Sequence, residues 1–182
     1  MMTKACALVA TLIIVFQGFG AAEQAVDHQK EKEGEDTVVH KVYLFGNVRL
    51  LQKTSPFYDA LTDLVKKENE NTTLLFLGDN AFPHGIPDDD DPGYKNACKN
   101  LEIIVDIIET FRGNYWFIPG DHDWNKGKPD GLDYIKEQRK FLEDALDKKN
   151  VFQPEKGRPG PVEIELDDEL MLIIFDSQWW FH

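Results

Sequence analysis

Four short apolar runs organise the chain, and each ends abruptly in polar residues. Val42-Tyr43-Leu44-Phe45 runs into Gly46-Asn47, and Leu74-Leu75-Phe76-Leu77 into Gly78-Asp79-Asn80. Tyr115 to Ile118 leads through Pro119-Gly120 to Asp121-His122-Asp123, and Leu172-Ile173-Ile174-Phe175 meets Asp176-Ser177-Gln178. Continuous apolar runs of this length, rich in β-branched and aromatic residues, predict buried strands. The strands are expected over Val38 to Phe45, Thr73 to Leu77, Asn114 to Ile118 and Leu170 to Phe175. Between them the period changes to that of helices. Ser55 is placed to cap a helix with Pro56 at its first position, and Phe57, Leu61, Leu64 and Val65 follow at helical spacing. Tyr94 to Phe111 carries Leu101, Ile104, Val105 and Ile108 on one face, and Leu132 to Leu146 carries Ile135, Phe141, Leu142 and Ala145. Val162 to Leu166 alternates with period two, as a half-exposed strand does, and Asp167-Asp168 predicts a turn back into the last apolar run. The order β-α-β-α-β-α-β-β predicts an α/β fold, in which ligands bind beyond the carboxyl ends of the strands.

Length and charge narrow the reading. The chain has 182 residues, enough for one domain with a sizeable core, and a net charge of −13. That balance argues against a nucleic-acid-binding face, which needs a basic patch. It also repels anionic substrates unless a bound cation reverses the sign locally. Residues 1–22 have signal-peptide form: Lys4, the apolar run Ala5 to Phe16, then Gly20-Ala21-Ala22. Cleavage there takes the charge to about −14, through loss of Lys4, and leaves Cys98 without Cys6. The alternative is an anchor that stays attached; the run is short for a bilayer span, so no stable membrane span is expected after cleavage. Residues 23–37 read as a flexible charged leader. Asn71-Thr72-Thr73 fits a glycosylation triplet that is common by chance.

The chemistry-bearing positions follow the Gly residues. Asp79, Asn80 and Asp121 offer hard oxygen ligands, and His122 a nitrogen ligand or a general acid. Singly, an Asp after a strand often caps the next helix and a loop His is often only solvated. The repeated Gly-Asp ending favours a site. Asp88-Asp89-Asp90-Asp91 lacks the spacing of a calcium loop and reads as a solvated acidic stretch. Trp179-Trp180-Phe181 could stack a sugar or base, but reads better as core for a part of the fold beyond this chain.

These residues resemble the calcineurin-like metallophosphoesterases, most of all the purple-acid-phosphatase-like branch. Gly78-Asp79-Asn80-Ala81-Phe82-Pro83 looks like the family's Gly-Asp-x-x-Tyr motif, and Gly120-Asp121-His122-Asp123 like its Gly-Asn-His-Asp/Glu motif. The likeness runs from about Val42 to the end and includes Gly160-Pro161-Val162-Glu163 and Asp176-Ser177-Gln178-Trp179-Trp180. It implies the N-terminal half of a four-layer α/β/β/α sandwich spanning 38–182, with the later motifs, a His and then Gly-His-x-His, lying past the end of this chain. It implies that Asp79 bridges two metal ions (iron, manganese or zinc), that Asp121 binds the second, that Asn47 fills the slot of the first-metal Asp, and that His122 is the catalytic group over a phosphoester substrate. With the signal peptide, the expectation is a secreted or periplasmic hydrolase. Three departures point the other way: Asn47 for Asp, Arg49 beside the ion, and Phe82 for the ligating Tyr. They leave open a non-catalytic relative that binds a ligand or partner on the old site.

Overall fold

A computed structural model describes residues 38–181 and the backbone of Phe16–Gln17. The rest of the expected signal peptide, the leader and His182 lie outside the described residues. β1 (Phe16–Gln17) pairs antiparallel with the last strand, Phe16 opposite Met171.

The architecture is mixed α/β with a three-stranded parallel sheet. β2 (Lys41–Phe45), β3 (Thr72–Phe76) and β4 (Asn114–Phe117) lie side by side in sequence order, with β3 central. All five residues of β3 are buried, which is why its sequence shows no alternation: both faces are covered. The register sets Phe45 beside Phe76 and Phe76 beside Phe117. Their rings stack with centroids 5.3 and 4.5 Å apart, giving the carboxyl edge of the sheet an aromatic floor. The chain then runs from each strand into one of the Gly-bearing loops.

The helices follow the expected signals. α1 (Pro56–Lys67) begins at Ser55, whose Oγ accepts from Tyr58 N–H at 3.2 Å, and Pro56 occupies the first position. α1 ends at Glu68, whose buried carboxylate accepts from Lys41 Nζ (2.8 Å), the Tyr43 hydroxyl (2.9 Å) and Thr72 Oγ1 (3.3 Å). That one side chain ties the helix end to the first two parallel strands. α2 (Tyr94–Ile108) buries Leu101, Ile104, Val105 and Ile108, and stops three residues short of the expected Phe111. α3 (Gly131–Ala145) buries Ile135 and Leu142 as expected, but Ala145 is exposed and Gln138 and Glu143 are buried instead. Glu143 is drawn inward because its carboxylate accepts the Asn150 N–H at 2.9 Å. It thereby anchors the Val151–Phe152 segment that bridges onto Phe117 beside β4.

β5 (Val162–Glu165) and β6 (Leu170–Ile174) form the expected antiparallel hairpin, with Glu163 and Glu165 exposed. They belong to a second sheet, so β6 does not extend the parallel one. The Asp88–Asp91 stretch is exposed, in keeping with a solvated loop, and Trp180 and Phe181 are exposed too. Among the described residues no helix is long and apolar enough to cross a membrane.

Candidate metal centre

The loops after β3 and β4 meet backbone to backbone. Gly78 has φ +102°, and a Cβ there would lie 2.6 Å from Gly120 Cα. A Cβ on Gly120 would lie 2.6 Å from Asp79 N. Only glycine permits that approach. Asp79 itself is left-handed (φ 54°), a conformation that Asp tolerates. The junction is locked from beneath by Asp123, which is fully buried. Its carboxylate accepts from Gly120 N (2.8 Å), Asn80 N (3.0 Å), Asn80 Nδ2 (3.2 Å) and Ala81 N (3.3 Å). Burial pushes the Asp123 carboxyl up to about 7, against the pull of the Gly120 N–H.

On this platform Asp79, Asp121 and His122 each present a ligand atom, all within 4.8 Å of one another. Two atoms bound at about 2.1 Å to one ion lie at most about 4.2 Å apart, so small side-chain rotations close this set around a single cation. Two carboxylates and an imidazole suit manganese, zinc or iron. Burial raises the Asp79 carboxyl above its ordinary range; the His122 N–H, donating to Oδ1 at 3.2 Å, works against this, and the Asp121 charge adds to it.

His122 has a neighbour that sequence reasoning missed. Its Nδ1 lies 2.8 Å from the Pro83 carbonyl and 3.1 Å from His84 Nδ1, and the two rings stack at 5.2 Å. A carbonyl only accepts, so the proton belongs on His122 Nδ1, which leaves its Nε2 with the lone pair. His84 is held toward its neutral form by burial and then by His122. Nothing in the sequence spacing pairs these residues, 38 positions apart; the only cue was a His inside the Pro83–Gly85 turn. The Asp123 clamp was missed as well, although the doubled acid around His122 was in view.

The loop after β2 comes to the same edge differently. Asn47 N donates to Gly78 O (3.1 Å) and Arg49 N to Asp79 O (2.9 Å), so Asn47 does stand beside the Gly-Asp loops, with its own side chain exposed. The side chain that this loop aims at Asp79 is Arg49, with Nη1 3.9 Å from Oδ2. Among the described residues the ligand set therefore fits one ion, since a fixed cation already stands on the β2 side of Asp79. Asp176 does not join the site. It is buried and accepts from Trp124 Nε1 at 2.8 Å, and burial pushes it up to about 6. Two surface grooves, of about 590 Å³ beside Cys98 and about 520 Å³ beside Arg158, include none of the three candidate ligands.

Comparisons with protein-family models, curated proteins and solved structures returned no match to this chain. Fold and geometry together define an α/β chain with a candidate single-ion centre at the carboxyl edge of its parallel sheet.

Proposed function

We propose that the chain is part of an exported, metal-dependent phosphoesterase of the calcineurin-like kind, working with one ion where the family resemblance implies two. In this reading its parallel sheet, helices and hairpin are layers of an α/β/β/α sandwich. The observation that carries it is the convergence of Asp79, Asp121 and His122 within 4.8 Å above the touching glycines. Asp79, Asp121 and one ring nitrogen of His122 would hold the ion. Bound there, the ion supplies Lewis acidity toward a phosphoryl oxygen and lowers the pKa of a water. The chain's own residues do the rest. Asp123 keeps the two loops in register, the Pro83 carbonyl fixes the His122 tautomer, and the His84 ring restricts its orientation.

The test is hydrolysis of a nitrophenyl phosphate by the full chain with manganese, zinc or iron, alongside Asp79→Ala. Metal-dependent turnover lost in Asp79→Ala supports the reading. Metal binding without turnover supports the second reading, a non-catalytic relative, which is favoured by the Arg49 contact and by the exposed Asn47 amide in a carboxylate's place. Export is tested separately: N-terminal sequencing of secreted or periplasmic protein should begin near Glu23, and intact Met1 on the soluble protein would refute the signal peptide.

A further inference from the structure

We propose that Arg49 is the anion-holding cation of this centre, binding one oxygen of a phosphate monoester while another lies on the ion held by Asp79, Asp121 and His122; this rests on the single-ion reading above. The geometry distinguishes such a role from plain neutralisation of Asp79. A guanidinium that serves only as a carboxylate's partner closes on it with paired hydrogen bonds at about 2.8 Å. Arg49 stops at 3.9 Å, beyond hydrogen-bonding distance. Its backbone cannot drift, because Arg49 N is tied to Asp79 O at 2.9 Å. Its side chain is only 18% exposed, and its buried Nε has no hydrogen-bond partner. Buried donors are nearly always satisfied, so this guanidinium, with no hydrogen bond to Asp79 and none at Nε, keeps bonding capacity to spare beside the candidate ligands, and its Nη edge faces them.

Charge decides what that acceptor is and when it binds. The charged side chains Asp79, Asp121 and Arg49 together carry −1, and one divalent ion turns their sum to +1. Lys126 and Lys128 add to the positive field at His84. An anion is therefore repelled from the empty centre and attracted to the loaded one. A planar fork of N–H donors beside a cation matches the spaced oxygens of a tetrahedral oxyanion. By linkage, metal and oxyanion must raise each other's affinity by the same factor.

The experiment is calorimetric titration of the full chain with Mn²⁺ alone, with inorganic phosphate alone, and with each at saturation of the other. Phosphate should bind weakly by itself and about tenfold or more tightly with Mn²⁺ present. Arg49→Gln should weaken phosphate binding to the Mn²⁺-loaded protein by about 10- to 100-fold, the loss of charged hydrogen bonds. The same change should tighten Mn²⁺ binding several-fold, because a like charge is gone. Arg49→Lys keeps the charge but not the fork, so its phosphate affinity should fall between the two while Mn²⁺ binding stays as in the wild type. If Arg49→Gln leaves phosphate binding intact, or weakens Mn²⁺ binding, Arg49 is a structural partner of Asp79 and the proposal is wrong although the metal centre stands. If the wild type binds no Mn²⁺, the single-ion reading fails and this proposal falls with it.

Discussion

Three strands of the parallel sheet end in the same local grammar, yet the loop after β2 and the pair of loops after β3 and β4 do opposite things. Asn47 and Asp79 are both left-handed, with φ of 56° and 54°, and each follows a Gly. Gly78 and Gly120 are needed because the two loops touch through them, whereas a Cβ on Gly46 would meet nothing within 4 Å. The β3 and β4 loops converge two carboxylates and an imidazole, and the β2 loop converges a guanidinium. The β2 and β3 loops thus share a left-handed turn, but the charge reaching the edge comes from the turn residue in one, Asp79, and from the residue two places further on in the other, Arg49, so one flank is anionic and the other cationic.

The hardest way to break this contrast is through the glycines. Gly78→Ala and Gly120→Ala should each cost more than about 3 kcal/mol, since backbone atoms at 2.6 Å cannot give way. Gly46→Ala should change stability by less than about 1 kcal/mol. Urea unfolding of the three variants checks the difference, and equal losses would mean that the loops do not meet as described.

Next in size is Asp123 against Asp121. Asp123→Ala strands donors from Gly120, Asn80 and Ala81 in a fully buried place and should cost about 3–5 kcal/mol. Asp121 is exposed, so Asp121→Ala should cost less than about 0.5 kcal/mol in stability. It should nevertheless lower Mn²⁺ affinity about tenfold, as expected for loss of one charged ligand of three. Unfolding and titration on the same two proteins separate the clamp from the ligand.

Asp176 gives a smaller, pH-dependent effect away from the centre. Its carboxyl titrates near 6 in the folded chain, raised by burial, against about 4 when unfolded. Between those values the native state holds a proton that the unfolded state has released, so stability falls as pH rises through the window. The fall is about 2–3 kcal/mol at most, complete above pH 6. Urea midpoints from pH 4 to 7 should show this slope together with the one from Asp123, whose carboxyl burial also raises, and Asp176→Asn should make it shallower without removing it. An unchanged slope in that variant would assign the titration elsewhere.

Much of this is legible in the sequence. Ser55-Pro56 announced the start of α1, the period of Leu101, Ile104, Val105 and Ile108 announced α2, and the Gly-Asp endings placed Asp79 and Asp121 at one edge. What stayed hidden depends on contacts between distant segments. A buried Glu143 looks like any helix-surface acid until Asn150 folds back on it. Asp176 follows a strand as Asp79 does, but its strand belongs to the other sheet, so it meets Trp124 instead of a ligand site. His84 and His122 find one another only because the Pro83 loop crosses the Gly-Asp junction. Arg49 read from sequence as a group that repels an ion; that its guanidinium stops 3.9 Å from Asp79 with an unsatisfied buried Nε needed three dimensions.

The smallest expected effect probes whether the β2 flank can be recruited to the anionic side. Asn47→Asp keeps a residue type that tolerates the left-handed conformation, at an exposed position, so stability should shift by less than about 0.5 kcal/mol. The new carboxylate would be exposed and has Arg49 two residues away, and an exposed charge contributes little. Mn²⁺ affinity should therefore rise only about two- to threefold, the order expected for an exposed ionic contact. In an Arg49→Gln background the same substitution acts without the opposing guanidinium, and its gain should be larger. The four proteins form a double-mutant cycle, and the coupling between positions 47 and 49 is the quantity to read. A gain that is larger in the Arg49→Gln background means the β2 loop is a disarmed third arm of the centre, held off by one arginine. No gain in either background means that position 47 lies out of reach of the ion, and that the likeness between the β2 loop and the other two ends at the backbone.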